Sequence, residues 1–102
     1  MPEHDFSPLF DHYPALIAQM PETFTSHQFI LRLAQQHQVP YIEALHSYRD
    51  SLRQGKPAPF MAVHQILARH LDACPEVVKS MANVPSVNIF GQASDCAQWE
   101  KL

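Results

Sequence analysis

Hydrophobic residues recur every three or four positions along most of the chain, which is the spacing of helices that bury one face. The first such stripe consists of Phe6, Leu9, Phe10, Tyr13, Leu16, Ile17 and Met20. Pro14 interrupts this stripe, and proline is tolerated in the first turn of a helix because its missing N–H has no partner there. We therefore predict a helical turn around 7–12, followed by a helix that starts near Pro14 and ends at Pro21.

A second helix is predicted over 25–38. Its buried face would consist of Phe29, Ile30, Leu33, Ala34 and His37. Thr25 or Ser26 can accept a hydrogen bond from the first free backbone amides of this helix. Phe24, which precedes both, can pack back onto its first turn as a hydrophobic staple. These signals make 25–38 the most clearly marked helix of the chain.

Two further helices are predicted on either side of a loop. The helix over 40–53 would begin at Pro40 and bury the stripe Tyr41, Leu45, Tyr48 and Leu52. The segment 54–59, QGKPAP, combines one glycine with two prolines and is therefore predicted to be a loop. The helix over 59–73 would bury the stripe Val63, Ile66, Leu67, His70 and Leu71.

The C-terminal part of the chain has a different pattern. Val77, Val78 and Met81 predict a short helix after Pro75. The last segment, 84–102, contains strand formers at Val87, Ile89 and Phe90, followed by turn-forming residues. Two alternatives remain open for this segment: a β-hairpin, or an extended arm followed by a terminal helix.

These elements predict a mainly α fold: a small single domain, 1–102, built as a bundle of four to five helices. In it, 1–24 forms an acidic helical segment, 25–83 the helical core and 84–102 the hairpin or arm. The composition agrees, because the chain has two glycines against nine prolines, and all-β folds use glycine in their many turns. With only two cysteines, no basic-then-apolar leader and no apolar run long enough for a membrane, we expect free thiols and a cytoplasmic location.

Charge is unevenly distributed within the net value of −3. Segment 1–24 holds four acidic residues and no lysine or arginine, whereas 25–70 holds five lysines and arginines against two acidic residues. An acidic partner would therefore meet the middle of the chain. The same complementarity predicts that the N-terminal helix docks on its own domain or swaps into a neighbour, which would give a homodimer.

The stretch 34-AQQHQVPYIEALHSY-48 resembles the helix-turn-helix family of DNA-binding domains. Ala34 is the small residue near the end of the first helix, Gln38 stands at the corner four positions on, and Val39 is the apolar residue that fills the gap. The resemblance covers about fifteen to twenty residues. It implies that the helix from Pro40 enters the major groove. The implied contacts are Tyr41, Glu43, His46 and Ser47 with base edges, and Arg49 and Arg53 with the phosphate backbone.

A winged-helix arrangement is the second DNA-binding interpretation. Its order would be helix 25–38, helix 40–53 and helix 59–73, followed by 86–102 as the hairpin that forms the wing. The helix from Phe60 would then face the DNA. The implied contacts in this arrangement are Lys56, Met61, His64, Gln65 and Arg69.

A protein-interaction domain is the alternative to both. Three amphipathic helices joined by short connections are common in such domains, and the basic excess is small for nucleic-acid binding, where about six or more phosphates are often neutralised. Grouping of Arg49, Arg53, Lys56 and Arg69 on one open face would favour double-stranded DNA. An exposed apolar patch that includes Trp99 would favour a protein partner. DNA binding is the more specific hypothesis.

Signals for catalysis, cofactors and metals are weak, so a non-enzymatic domain without cofactor or metal is expected. His64 and His70 are six residues apart and would point about 120° apart around a helix, which is unsuitable for a shared metal. His70 and Cys74 have the four-residue spacing of one helix face, but a small core residue is the favoured role for Cys74. Half-buried, hydrogen-bonded histidines could make binding pH-sensitive.

Overall fold

A computed structural model describes the chain at residues 4–55 and 57–102. About half of these residues are helical, and a small antiparallel sheet accompanies the helices. The helices are α1 (Ser7–Phe10), α2 (Tyr13–Gln19), α3 (Ser26–Gln36), α4 (Gln38–Ser47) and α5 (Pro59–His70). The strands are β1 (Thr23–Thr25), β2 (Val78–Val84) and β3 (Cys96–Lys101), and short 3₁₀ turns span Ser51–Gln54 and Leu71–Ala73.

The N-terminal segment folds as the apolar stripe predicts. Each of its two helices has a proline in the first turn, Pro8 in α1 and Pro14 in α2, and α2 ends directly before Met20 and Pro21. The stripe is buried in this chain's own core, apart from the partly buried Phe10. Tyr13 is fully buried, and its hydroxyl donates a hydrogen bond of 2.6 Å to the backbone carbonyl of Leu67 in α5. The N-terminal helices are therefore an integral part of the domain.

Helix α3 begins with the cap that the sequence predicts. The Thr25 hydroxyl accepts a hydrogen bond from the Gln28 amide at 3.2 Å, and the Gln28 side chain accepts one from the Thr25 amide at 2.9 Å. Two of the free N–H groups at the helix start are satisfied in this way. Phe24 stacks on Phe29 with ring centroids 6.0 Å apart, which is the predicted staple.

The corner between α3 and α4 differs from the helix-turn-helix pattern. Helix α4 begins at Gln38, so Pro40 is its third residue and not its first. Gln38 is helical, and among the described residues only Gly55 and Gly91 have a positive φ. Val39 is 67% exposed and therefore does not fill the gap between the helices. The turn is made instead at His37, with φ −128° and ψ 62°, and because this φ is negative the corner does not require a glycine.

Helix α4 is shorter than predicted. It ends at Ser47, and Leu52 lies in the following 3₁₀ turn, where it is 66% exposed. The predicted stripe is correct at Tyr41 but wrong at Leu52, because the chain turns after Tyr48 and the helical phase is lost. Gly55, with a φ of 72°, then allows a left-handed step into the loop that the sequence predicts.

The helix predicted after Pro75 is wrong. Val78 and Met81 lie on β2, which pairs antiparallel with β3. The adjacent β-branched residues Val77 and Val78 favour a strand. Pairing with β3 then decides between helix and strand for this segment. The hairpin alternative for the C-terminal segment is correct, but its strands lie outside the predicted strand formers. Val87, Ile89 and Phe90 belong to the connection between β2 and β3.

The sheet has the strand order β1-β3-β2, so β3 lies in the centre. Trp99 of β3 faces Phe24 on one neighbour and Ser80 on the other in the strand register. Its side chain is buried, and the indole N–H donates a hydrogen bond of 2.9 Å to the Ser26 hydroxyl. This hydrogen bond joins the sheet to the first turn of α3.

Two further features concern the cysteines and the lengths of the helices. Cys74 and Cys96 are both free thiols. No helix in 4–55 or 57–102 has the length and hydropathy needed to cross a membrane.

Candidate binding cleft

A cleft of about 600 Å³ separates α5 from the segment 85–95, which we call the hairpin loop. One wall is formed by the exposed face of α5, and the other by the hairpin loop and the start of β3. Its innermost lining residues are the buried Ser26, Ile30 and Trp99. This volume lies in the range of sites that bind small molecules or peptide side chains, roughly 300–1,000 Å³.

Hydrogen bonds shape the hairpin loop. Val87 and Ala93 form an isolated antiparallel bridge, and the Asn88 side-chain carbonyl accepts hydrogen bonds from the amides of Phe90 at 2.9 Å and Gln92 at 3.1 Å. An asparagine that accepts from residues just ahead of it stabilises a turn. The loop is therefore an ordered tip, and it places the Phe90 side chain against α5.

The end of the cleft near the loop tip is aromatic. The Phe90 ring lies 4.6 Å from that of Phe60 in an edge-to-face arrangement, and 6.3 Å from the His64 ring, nearly parallel to it. Phe60, Met61 and Phe90 are 44%, 57% and 51% exposed, respectively. Large apolar side chains grouped in this way at an open cavity are typical of binding surfaces.

His64 links the cleft to α4. Its Nε2 atom lies 2.7 Å from the Tyr41 hydroxyl oxygen, and the two side chains share a hydrogen bond. Burial, and to a smaller extent the neighbouring His27, lower the pKa of His64 to about 4. Burial raises the pKa of Tyr41 to about 12. Both groups are therefore neutral at pH 7, so the wall of the cleft is uncharged at this point.

His27 ties the base of the hairpin loop to α3. Its Nδ1 atom lies 3.0 Å from the Ser86 hydroxyl oxygen. Burial lowers the pKa of His27, and a hydrogen bond with the Val87 backbone opposes part of that effect. Like His64, this ring contributes polar atoms to the cleft without a full positive charge.

The charged residues of the described lining lie at the other end of the cleft. These are Arg69 and Asp72 on the α5 side and Asp95 at the sheet end of the hairpin loop. Within the described residues, ion pairs are found only at Asp50, which contacts Arg49 at 3.3 Å and Arg53 at 3.9 Å. With His27 and His64 neutral, the described lining has one positive charge, from Arg69, and two negative charges, from Asp72 and Asp95. Its net charge is therefore weakly negative.

The residues predicted from the winged-helix resemblance lie together at this cleft. Met61, His64, Gln65 and Arg69 all line it, and Gln65 and Arg69 are exposed. Lys56, the remaining residue of that prediction, lies outside the described residues. The structure thus groups four side chains that the sequence separates by up to eight positions.

The residues predicted from the helix-turn-helix resemblance are placed differently. Glu43, His46, Ser47, Arg49 and Arg53 are exposed on α4 and the turn after it, and none of them lines the cleft. Tyr41 is only 8% exposed and points to His64, so its assignment to an open reading face is wrong. Its ring packs in the hydrophobic core, where burial of its apolar surface is favourable.

Trp99 is buried and therefore belongs to no exposed apolar patch, and Phe90 is the exposed aromatic residue of the hairpin. The sequence reasoning did not single out Phe60, Asp72 or Asp95 for this site. Their positions depend on how the hairpin folds against α5, which local spacing does not encode. One sequence signal does exist. Phe60 and Met61 are adjacent apolar residues that precede the buried stripe from Val63, which is typical of an open apolar helix start.

The histidines and cysteines do not assemble a metal site in the described residues, where no group of three or more ligands is found. The His12 and His37 rings stack at 3.7 Å, and His70 stacks on Phe10 at 3.6 Å. The Cys74 thiol donates to the His70 backbone carbonyl at 3.5 Å, and burial raises its pKa.

Comparison with known proteins gives no match: no family model, curated protein or solved structure is significantly similar to the chain.

Proposed function

We propose that the domain is a non-enzymatic protein-binding module whose cleft accepts an apolar segment of a partner protein. The observation that supports this most directly is the open aromatic end, where Phe60, Met61 and Phe90 are each about half exposed around one cavity. Burying such side chains against a partner releases about 25 cal/mol per Å² of apolar surface. Aromatic residues in a pocket are also frequent binding hot spots.

The charge of the cleft favours a protein over DNA. Nucleic-acid binding draws most of its affinity from lysines and arginines placed against phosphates. The hairpin loop, PSVNIFGQASD, contains neither residue and ends in Asp95. On the opposite wall, the positive charge of Arg69 is offset by Asp72 three positions later. A phosphate chain that entered this cleft would meet more negative than positive charge.

DNA binding by a winged-helix-like domain is the second candidate, and the order of the elements favours it. Helices α3, α4 and α5 precede a β-hairpin, as the winged-helix resemblance requires, and the hairpin lies beside α5. Gln65 and Arg69 are exposed on α5, and glutamine and arginine are the side chains that pair with adenine and guanine edges.

A selection from a random peptide library displayed on phage tests the first candidate. The wild-type domain is the bait, and the Met61→Ala and Phe90→Ala double variant is used for counter-selection. We expect peptides with large apolar residues that bind the wild type and not the variant. Enriched peptides that bind both proteins equally would place recognition outside the cleft and refute the proposal.

The two candidates are separated by fluorescence anisotropy of labelled random-sequence duplex DNA at about 50 mM and about 200 mM salt. A protein-binding module should show no binding at tens of micromolar. Binding that weakens steeply with salt and with Arg69→Ala, but not with Arg49→Ala, would establish the DNA-binding candidate on α5. The Arg49 variant is the matched control because that residue lies away from the cleft.

A further inference from the structure

The two ends of the cleft differ in chemistry along both walls. On α5, the aromatic Phe60 and His64 come first and Asp72 follows the end of the helix. On the opposite wall, Phe90 lies at the tip of the hairpin loop and Asp95 at its return to β3. Because the Phe90 ring contacts Phe60, the aromatic residues of both walls lie at the same end of the cleft. The acidic residues of both walls follow towards the other end.

We propose that the cleft recognises a short extended peptide in which a large apolar side chain is followed or preceded, three or four residues away, by a lysine or arginine. This rests on the proposed protein-binding function and names the class of partner sequence. The apolar side chain packs among Met61, His64 and Phe90, and the cationic side chain lies between Asp72 and Asp95.

The spacing follows from the geometry of α5. Asp72 is eight positions after His64, six of them along α5 at about 1.5 Å per residue and two in the 3₁₀ turn at about 2 Å, so the two ends lie about 13 Å apart. An extended chain advances about 3.3 Å per residue and covers this distance in three to four residues. An extended peptide also leaves its backbone polar groups free to bond with Gln65, whose exposed side chain lines one wall.

The charge complementarity is set by the neutral histidines. Burial lowers the pKa of both His27 and His64, so neither adds a positive charge at pH 7. Arg69 is the one described cation of the lining, and it stands against two carboxylates. A peptide cation therefore gains attraction at the Asp72 and Asp95 end, whereas a peptide carboxylate there is repelled.

The test uses a labelled reference peptide and two variants, each of which differs from it at one position. Trp-Gly-Ser-Gly-Lys places a cation four residues from an aromatic anchor, Trp-Gly-Ser-Gly-Glu reverses the charge, and Ala-Gly-Ser-Gly-Lys removes the anchor. Fluorescence polarisation measures the Kd of each for the intact domain. We expect the lysine peptide to bind about threefold to tenfold more tightly than the glutamate peptide, and the alanine peptide to bind weakest.

Variants assign the effect to the two carboxylates. The double variant Asp72→Asn and Asp95→Asn should abolish the preference for lysine and leave binding of the anchor intact. Asp11→Asn removes one negative charge, half of the change in the double variant, from an exposed position outside the cleft and should leave the preference unchanged. Because all three aspartates are exposed, the variants are expected to fold, and their thermal unfolding checks this.

The outcomes separate this inference from the proposed function. If both tryptophan peptides bind equally, or the glutamate peptide binds more tightly, the cation preference is refuted and protein binding stands. If the peptides with and without tryptophan bind equally, or none binds at millimolar concentration, both proposals fail. If lysine is preferred but Asp11→Asn lowers that preference as much as the double variant does, the preference reflects net charge and the inference is refuted.

Discussion

Two aromatic residues of the same hairpin, Trp99 and Phe90, have opposite environments. Trp99 lies in the central strand, is buried, and donates its indole N–H to Ser26. Phe90 lies at the tip, nine positions earlier, and half of its surface faces solvent. The base of the hairpin is therefore part of the core, and its tip is held beside α5 by a few local contacts.

This difference indicates where stability and binding are located. A side chain with fully satisfied hydrogen bonds and no solvent contact contributes to folding, and a change there affects the whole domain. A half-exposed aromatic residue contributes little to folding and leaves apolar surface available to a partner. The comparison can be tested at Trp99 in the buried base of the hairpin, at His64 on the facing wall of the cleft, and at Phe90 in the tip.

The largest effect is expected for Trp99→Ala. Removing a fully buried tryptophan leaves a cavity and costs about 3–5 kcal/mol of the free energy of unfolding, in line with large-to-small changes in other cores. The Ser26 hydroxyl also loses its indole donor. Urea denaturation followed by circular dichroism measures the loss. A change below about 1 kcal/mol would show that the hairpin base is not part of the core.

The sequence predicts the helical part of this fold well because its determinants are local. The cap at Thr25, its partner Gln28 and the staple at Phe24 are all within five residues, so they can be identified without knowledge of the tertiary fold. The same holds for the prolines that begin α2 and α5. Helix positions are correct where a cap and a staple mark the start, whereas Pro40 alone places the start of α4 two residues too late.

The sheet and the cleft were less predictable because they depend on contacts distant in sequence. Val78 pairs with Lys101 and Phe24 with Trp99, and no local pattern specifies these partners. The periodicity of Val77, Val78 and Met81 fitted a helix equally well, and strand pairing decided the outcome. For the site, the α5 residues were identified through the winged-helix resemblance, but the aromatic contact between Phe60 and Phe90 required the folded hairpin.

His64 on α5, which faces the hairpin loop across the cleft, predicts a pH dependence of intermediate size. Because burial lowers the folded-state pKa of His64 to about 4, from 6.5, the unfolded chain binds more protons than the folded chain between these values. Stability is therefore fully present above about pH 6.5 and falls as the pH decreases towards 4. The contribution of His64 should be about 1–2 kcal/mol, reduced by its partial exposure.

Urea denaturation at pH 7 and pH 4.5 measures this dependence, and His64→Gln is the comparison. The variant should lose less stability between the two pH values than the wild type, because glutamine does not titrate. His27 has a lowered pKa as well and acts in the same direction, so a smaller dependence should remain. An NMR titration that places the His64 midpoint near 6.5 would contradict the prediction directly.

The smallest effect on stability is expected at the tip, for Phe90→Ala. The ring is half exposed, and its aromatic contact with Phe60 is worth about 0.5–1 kcal/mol. The change should therefore lower the free energy of unfolding by no more than about 1 kcal/mol. If the tip is a binding element, the same substitution weakens the affinity for apolar peptides at least fivefold.

Phe90→Leu separates the two roles of this side chain. Leucine keeps apolar volume at the tip but lacks a flat ring, so it should retain the small stability term and recover part of the peptide affinity. A loss of about 3 kcal/mol or more in Phe90→Ala would mean that the tip belongs to the core like Trp99. In that case the contrast between the two ends of the hairpin disappears, and the open aromatic end of the cleft loses its significance for binding.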